Sequence, residues 1–150
     1  MKQTAPHALV IEARFYTDLA DALFEGVRRV FDERGVTYER IAVPGVLEIP
    51  AALSMALTAQ DDDRADFDLV VVTGCVIRGQ TGHYDIVAGE SNRAIMDLVV
   101  ETGLTLGNGI LTVENGEQAW ERADVNRRNK GGGAAEAALA MYELSTRFGA

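Results

Sequence analysis

One cysteine, two histidines and three prolines are all that 150 residues carry of these types, and each scarcity narrows the reading. A lone Cys75 cannot form an internal disulfide, which makes a reducing cytoplasm the simplest compartment. His7 and His83 stand far apart in the chain, without the close spacing of zinc ligands, so no metal site is expected. The longest nearly uncharged apolar stretch, Leu69 to Ile77, falls well short of the ~18 residues a membrane span requires. The N-terminal MKQTAPHALVIEA lacks the apolar segment and small-residue cleavage site of a secretory signal. Basic charge is scarce as well: 14 Lys and Arg face 23 Asp and Glu, a net charge of -9. Such a chain repels nucleic acid and anionic membrane, although a phosphorylated small molecule can still bind where cations cluster.

What is present is an ordinary globular composition, 47% hydrophobic and 25% charged. No repeat, low-complexity segment or linker interrupts it, and the acidic run at 61–66 reads as a solvated loop, so residues 1–150 are expected to form one domain. Residues 8–13 form a short apolar strand. From Thr17 the spacing of Ala20, Leu23, Phe24, Val27, Val30 and Phe31 is helical, with Gly35 placed to end the helix. Residues 36–43 alternate like a strand, Pro44-Gly45 turns the chain, and Pro50 is placed to open a second helix. Residues 67–74 are apolar on both faces, as a buried parallel strand should be, and a glycine-rich loop, GCVIRGQTG, follows. A third helix is expected from His83 to Glu101 and a fourth strand over 104–113. Asn115 with Gln118 three positions on predicts a capped helix through Ala123, and a last helix runs from about Gly133 to Arg147. Strand and helix alternate four times without a hairpin signal. That predicts a flavodoxin-like three-layer α/β/α sandwich on a parallel sheet of about four strands.

In such folds ligands bind outside the carboxyl ends of the strands. Those segments hold Arg14-Phe15-Tyr16, then Val46, Leu47 and Glu48, then Cys75, Val76 and Ile77 followed by Gly79-Gln80-Thr81-Gly82. The last loop leads into a helix, so its amides suit an anion such as phosphate, but it is no Walker motif. Histidine's ordinary pKa of about 6.5 makes His83, beside that loop, the best acid–base candidate, with a plain helix-terminal residue the competing reading. His7 reads as surface at a frayed end. Phe15 is either a core aromatic or an exposed stacking face, and Glu48 either complements a helix start or accepts from substrate hydroxyls. Arg122, Arg127, Arg128 and Lys130 form a local positive patch that either offsets Glu117 and Glu121 or clamps an anion. Cys75 is a small core hydrophobe or a nucleophile with His83 as its base.

Taken in order, EARFY, VPGVLEIP, GCVIRGQTGHYDIV, NGILTVENGEQAWERA and NKGGGAAEAAL resemble the successive signature segments of the 6,7-dimethyl-8-ribityllumazine synthase family of riboflavin biosynthesis. The resemblance implies condensation of 5-amino-6-(D-ribitylamino)uracil with 3,4-dihydroxy-2-butanone 4-phosphate, releasing phosphate and water without cofactor or metal. It implies that the uracil stacks on Phe15, that the backbone near Val76 and Ile77 reads its edge, and that Val46, Leu47 and Glu48 line the ribityl site. Gly79, Gln80 and Thr81 would hold the phosphate, His83 would pass protons, and Arg122 and Lys130 would come from a neighbouring subunit of a homopentamer. Riboflavin synthase is a further implied partner. Asn108 departs from the family pattern, standing where several relatives place an aromatic that closes over the pyrimidine, and KGGGAAE is unusually rich in glycine. DVNRRNKG lacks the glycine-containing kink of shell-forming relatives, which favours a free pentamer or a pair of pentamers. The competing functional readings are a flavin- or lumazine-binding relative without activity and a Cys75/His83 thiol hydrolase.

Overall fold

A computed structural model describes residues 5–149. The elements follow in the order β1 (His7–Ala13), α1 (Thr17–Arg34), β2 (Thr37–Val43), α2 (Ile49–Asp61), β3 (Leu69–Ile77), α3 (His83–Thr102), β4 (Leu106–Val113), α4 (Gly116–Ala123) and α5 (Lys130–Arg147). A single 3-10 turn, Val46–Glu48, leads into α2. The four strands form one sheet in the order β2-β1-β3-β4, and every pair is parallel.

Strand alternation sorts the core into two layers. Ala8 and Val10 of β1, with Leu69 and Val71 of β3, pack against Phe24, Val27 and Phe31 of α1 and Ala134, Ala135, Ala138 and Leu139 of α5. Leu9, Ile11, Val70 and Val72 point the other way, onto Ile49 and Leu53 of α2 and Val87 and Ile95 of α3. The three-layer flavodoxin-like sandwich expected from the sequence is therefore the observed fold. Central β3 is buried along nearly its whole length, which is why its sequence shows no polar face.

The local signals are largely realised. Gly35 ends α1 in the left-handed region at φ 69°, as its position predicts. Asn115 caps α4 by accepting from the Gln118 amide at 2.9 Å, and the Gln118 side chain accepts from the Glu114 amide at 2.8 Å. His7 is a correction. Rather than fraying, it opens β1, with Nδ1 2.7 Å from Thr37 Oγ1 and its amide donating to Asp68 at 2.8 Å.

Two boundaries differ from the expected ones by three residues. β3 continues past Gly74 to Ile77 because Gly74, Cys75, Val76 and Ile77 pair with Ile110, Leu111, Thr112 and Val113 of β4. These residues are strand, not loop. α5 begins at Lys130, so the three glycines 131–133 are helical. The reason is tertiary: α5 crosses α1 so closely that a Cβ on Gly131 would overlap the Leu23 carbonyl, and one on Gly26 would meet the Gly132 amide at 2.7 Å. Asn129, at φ 47°, holds the start of α5 by accepting from the Gly132 amide at 3.2 Å.

The glycines of α5 are thus not equivalent. Gly131→Ala is expected to lower stability by about 1–3 kcal/mol, because the Leu23 backbone cannot give way. Gly133, with nothing within 4 Å of the added atom, is expected to gain up to about 1 kcal/mol on replacement by alanine. Thermal denaturation of the two variants beside the parent checks both signs.

Candidate active site

The chain steps from β1 outward to β2, then returns to the opposite side of β1 to lay down β3. Helix α1 leaves β1 on one face of the sheet, and α3 leaves β3 on the other. The two connections diverge at their carboxyl ends and open a crevice. A cavity of about 480 Å³ lies there, within the range of small-molecule sites.

Three segments line it: Phe15 and Tyr16 after β1, residues 44–48 after β2, and Cys75, Val76 and Ile77 at the end of β3, with His83 and Val87 of α3 closing one side. Phe15 is 73% exposed. Burying such a ring is worth roughly 1.5–3 kcal/mol, a gain this position forgoes. Its ring stands edge-on to Tyr16 at 4.9 Å between centroids, with a face open. The Val46–Glu48 turn can sit against the sheet because Gly74 has no side chain: a Cβ there would lie 2.7 Å from Val46 Cγ2 and 2.9 Å from Ala13 Cβ. Val46 is buried beneath the turn, while Leu47 and Glu48 are exposed. Glu48 makes no side-chain cap on α2. Its carboxylate is thereby available to the cavity instead of to the helix start.

Burial pushes the Cys75 thiol up to about 11 and raises the Tyr16 phenol, so neither carries charge near neutral pH. Cys75 is grouped with Leu19, Leu23, Leu111 and Val113 in the core, and no hydrogen bond joins it to His83 among the described residues. This is the environment of a packing thiol, not of an activated nucleophile.

Gly79, Gln80 and Thr81 form the exposed bend between Ile77 and His83, beside the cavity but not in its lining. Thr81 Oγ1 accepts from the His83 amide at 3.2 Å. Arg78 anchors the bend: it lies 3.0 Å from Glu114 and 3.4 Å from Asp85, with its guanidinium 4.2 Å from the Tyr84 ring centroid. The imidazole of His83 is exposed at the first residue of α3, with its side chain free among the described residues.

Asn108, Arg122 and Lys130 lie elsewhere. They line a second cavity of about 450 Å³ along the open edge of β4, between α4 and α5, and it shares no lining residue with the first. Asn108 donates to Asn92 of α3 and accepts from the Ile110 amide, at 2.8 and 2.9 Å. Arg122 donates to the Gln118 carbonyl at 3.1 Å, and Glu121 lies within 3.4 Å of Arg122 and 3.7 Å of Arg128. Lys130 is exposed and has no ion-pair partner among the described residues. A cation in the first turn of a helix opposes the dipole by about 0.3–1 kcal/mol, so Lys130 is not there for the stability of α5.

Phe15, Val46, Leu47, Glu48, Cys75, Val76, Ile77 and His83 thus converge on one cavity, and Asn108, Arg122 and Lys130 on another. Sequence reasoning named Tyr16 only within the segment after β1 and gave no site role to Val87, an apolar residue at helical spacing in α3 that carries no signal of its own. Among the described residues no group of three His, Cys, Asp or Glu is placed to hold a metal, and no helix is long and apolar enough to cross a membrane.

A sequence model of the 6,7-dimethyl-8-ribityllumazine synthase family matches residues 5–146. Among curated proteins, the 6,7-dimethyl-8-ribityllumazine synthase of Agrobacterium fabrum is 56% identical over 144 residues, covering 96% of this chain and 97% of its own. The 6,7-dimethyl-8-ribityllumazine synthase 1 of Rhizobium meliloti is 57% identical over 144 residues, covering 96% and 94%. The Bartonella tribocorum 6,7-dimethyl-8-ribityllumazine synthase is 53% identical over 144 residues, covering 96% and 93%. With the fold, the crevice and the ordered motifs in agreement, the chain belongs to the 6,7-dimethyl-8-ribityllumazine synthase family.

Proposed function

We propose that this chain condenses 5-amino-6-(D-ribitylamino)uracil with 3,4-dihydroxy-2-butanone 4-phosphate to form 6,7-dimethyl-8-ribityllumazine, without metal or redox cofactor. The observation that carries this reading is the exposed ring of Phe15 over an apolar crevice whose far end meets the start of α3. A flat heterocycle stacks on Phe15 while the backbone of Val76 and Ile77 reads its edge, and the ribityl chain lies along Val46, Leu47 and Glu48. Gly79, Gln80 and Thr81, at the N-terminus of a long helix, receive the phosphate.

The reaction needs proton transfer at each stage. The 5-amino group attacks the ketone and loses water to give an imine, phosphate is then eliminated, and the ribityl-bearing nitrogen attacks the remaining carbonyl and closes the ring with loss of a second water. His83, with a free imidazole beside the phosphate bend, serves as the acid–base group. Holding both reactants together supplies much of the acceleration, so no single side chain is indispensable.

The phosphate and pyrimidine still require cations that the first cavity lacks. Arg122 and Lys130 supply them from an adjacent copy, in which Asn108 forms part of the same wall. The separation of the two cavities in one chain supports a site completed between subunits. Ile86, Met96 and Val100 leave an apolar strip of α3 exposed, which supports self-association, here as a homopentamer. The protein acts in the cytoplasm and passes its product to riboflavin synthase.

Purified protein given both substrates and a chelator is expected to generate lumazine absorbance and fluorescence faster than a protein-free control. A folded assembly that gives no acceleration overturns the reading in favour of a flavin- or lumazine-binding relative. His83→Ala is expected to lower kcat by at most about 10²-fold without abolishing turnover; an unchanged kcat removes His83 from proton transfer. Cys75→Ser should leave turnover nearly intact, whereas complete loss would restore the thiol mechanism.

A site shared between neighbours makes a sharper prediction. Phe15→Ala and Arg122→Ala variants, each defective alone, should regain activity when co-assembled, because about a quarter of the interfaces then join two intact halves in a head-to-tail ring. Absence of recovery in mixed assemblies verified by mass spectrometry contradicts the shared site.

A further inference from the structure

Glu12 is a carboxylate only 2% exposed in the middle of a four-stranded sheet, and nothing in the proposed reaction uses it. It faces α1 rather than the crevice, in the same layer as Ala8 and Val10. Its two oxygens accept three charge-assisted hydrogen bonds: from Arg40 Nε at 2.7 Å, Arg40 Nη2 at 3.0 Å and Arg14 Nη1 at 2.9 Å. Arg40 is fixed in turn, its guanidinium carbon 3.5 Å from the centroid of the Phe24 ring. A buried, paired carboxylate at a core position is a poor source of stability, because an apolar residue of similar volume usually does as well or better. The charge therefore calls for a role other than stability.

That role follows from Arg14. Its second terminal nitrogen reaches forward to Asp21 of α1 at 2.6 Å, and its amide donates to the Val43 carbonyl at the end of β2 at 3.1 Å. Glu12 thus holds one end of a charge-neutral chain, Arg40–Glu12–Arg14–Asp21, that spans the turn at residues 14–16 from strand to helix. Tyr16 at the start of α1 packs against the cluster of Leu19, Leu23 and Cys75 but makes no side-chain cap. The Phe15 ring itself has only its edge contact with Tyr16 among aromatic neighbours, so its position follows that of the turn.

We propose that Glu12 is a positioning residue of the active site: acting through Arg14, it fixes the 14–16 turn and so holds the ring of Phe15 in place for a bound heteroaromatic substrate. The inference rests on the stacking role given to Phe15 above, and its test separates the two. Protein labelled with fluorinated phenylalanine reports the ring directly, the Phe15 line being assigned by its loss in Phe15→Ala. Glu12→Gln weakens the buried end of the chain. Asp21→Asn loosens only the outer end, leaving the Glu12–Arg40 pair intact, and carries the test if Glu12→Gln fails to fold.

Both variants are expected to shift and broaden the Phe15 line. Each should raise KM for the ribitylaminouracil about three- to tenfold with kcat unchanged, the scale of one aromatic stacking contact. Neither should add to the KM rise of Phe15→Ala. An unmoved Phe15 line in both variants overturns the proposal, as do KM effects that multiply with that of Phe15→Ala. A Phe15→Ala protein with unaltered KM removes the stacking role instead, and the fluorine spectrum then decides by itself whether Glu12 holds the turn.

Discussion

The parallel pairing of β1 with β3 is the constraint on which the rest depends. Once Ala8 to Glu12 lie beside Leu69 to Thr73, β2 is left on one outer side of β1 and β4 on the far side of β3. The connections leaving the two central strands must then go to opposite faces. The gap between them is filled by neither, and the crevice with Phe15, Val76 and His83 is a consequence of strand order. Glycine serves the same arrangement at one point, since Gly74 lets the Val46–Glu48 turn settle against the sheet and bring residues from β2 into the gap.

The second cavity has a different origin. Helix α5 approaches α1 to backbone contact at Gly131, which fixes where α5 begins and leaves Lys130 at its exposed first turn. Arg122 reaches the same space from α4, and Asn108 from the edge of β4. One chain therefore presents an aromatic, largely apolar cavity and a cation-lined cavity on different surfaces. The acidic net charge of -9 is no obstacle to an anionic substrate when the cations are placed in this way.

Much of the fold was legible because its signals are local. The helical spacing from Ala20 to Phe31 survives directly in the buried face of α1, and the unbroken apolar run of β3 reflects a strand covered on both faces. Asn115 with Gln118 marked a helix start through hydrogen bonds that close within four residues. The segments that converge on the crevice were legible too, because strand ends can be numbered once the strands are found. Val87 was not, since nothing distinguishes a pocket-lining apolar residue from a core one until the neighbours are known.

The sequence by itself determined the class of fold, the three strand-end segments that meet in the crevice and the family, because periodicity, turn chemistry and ordered motifs are written within a few residues of one another. Only the tertiary structure decided that β3 runs on to Ile77, that glycines 131–133 are helical, that Glu12 is buried between two arginines, and that Arg122 and Lys130 lie apart from Phe15. Each of these depends on residues distant in the chain: the partner strand that extends a ladder, the carbonyl that forbids a Cβ, the guanidinium that lets a carboxylate leave water. Such contacts leave no period in the sequence, and they exist only once the sheet has set which elements face each other.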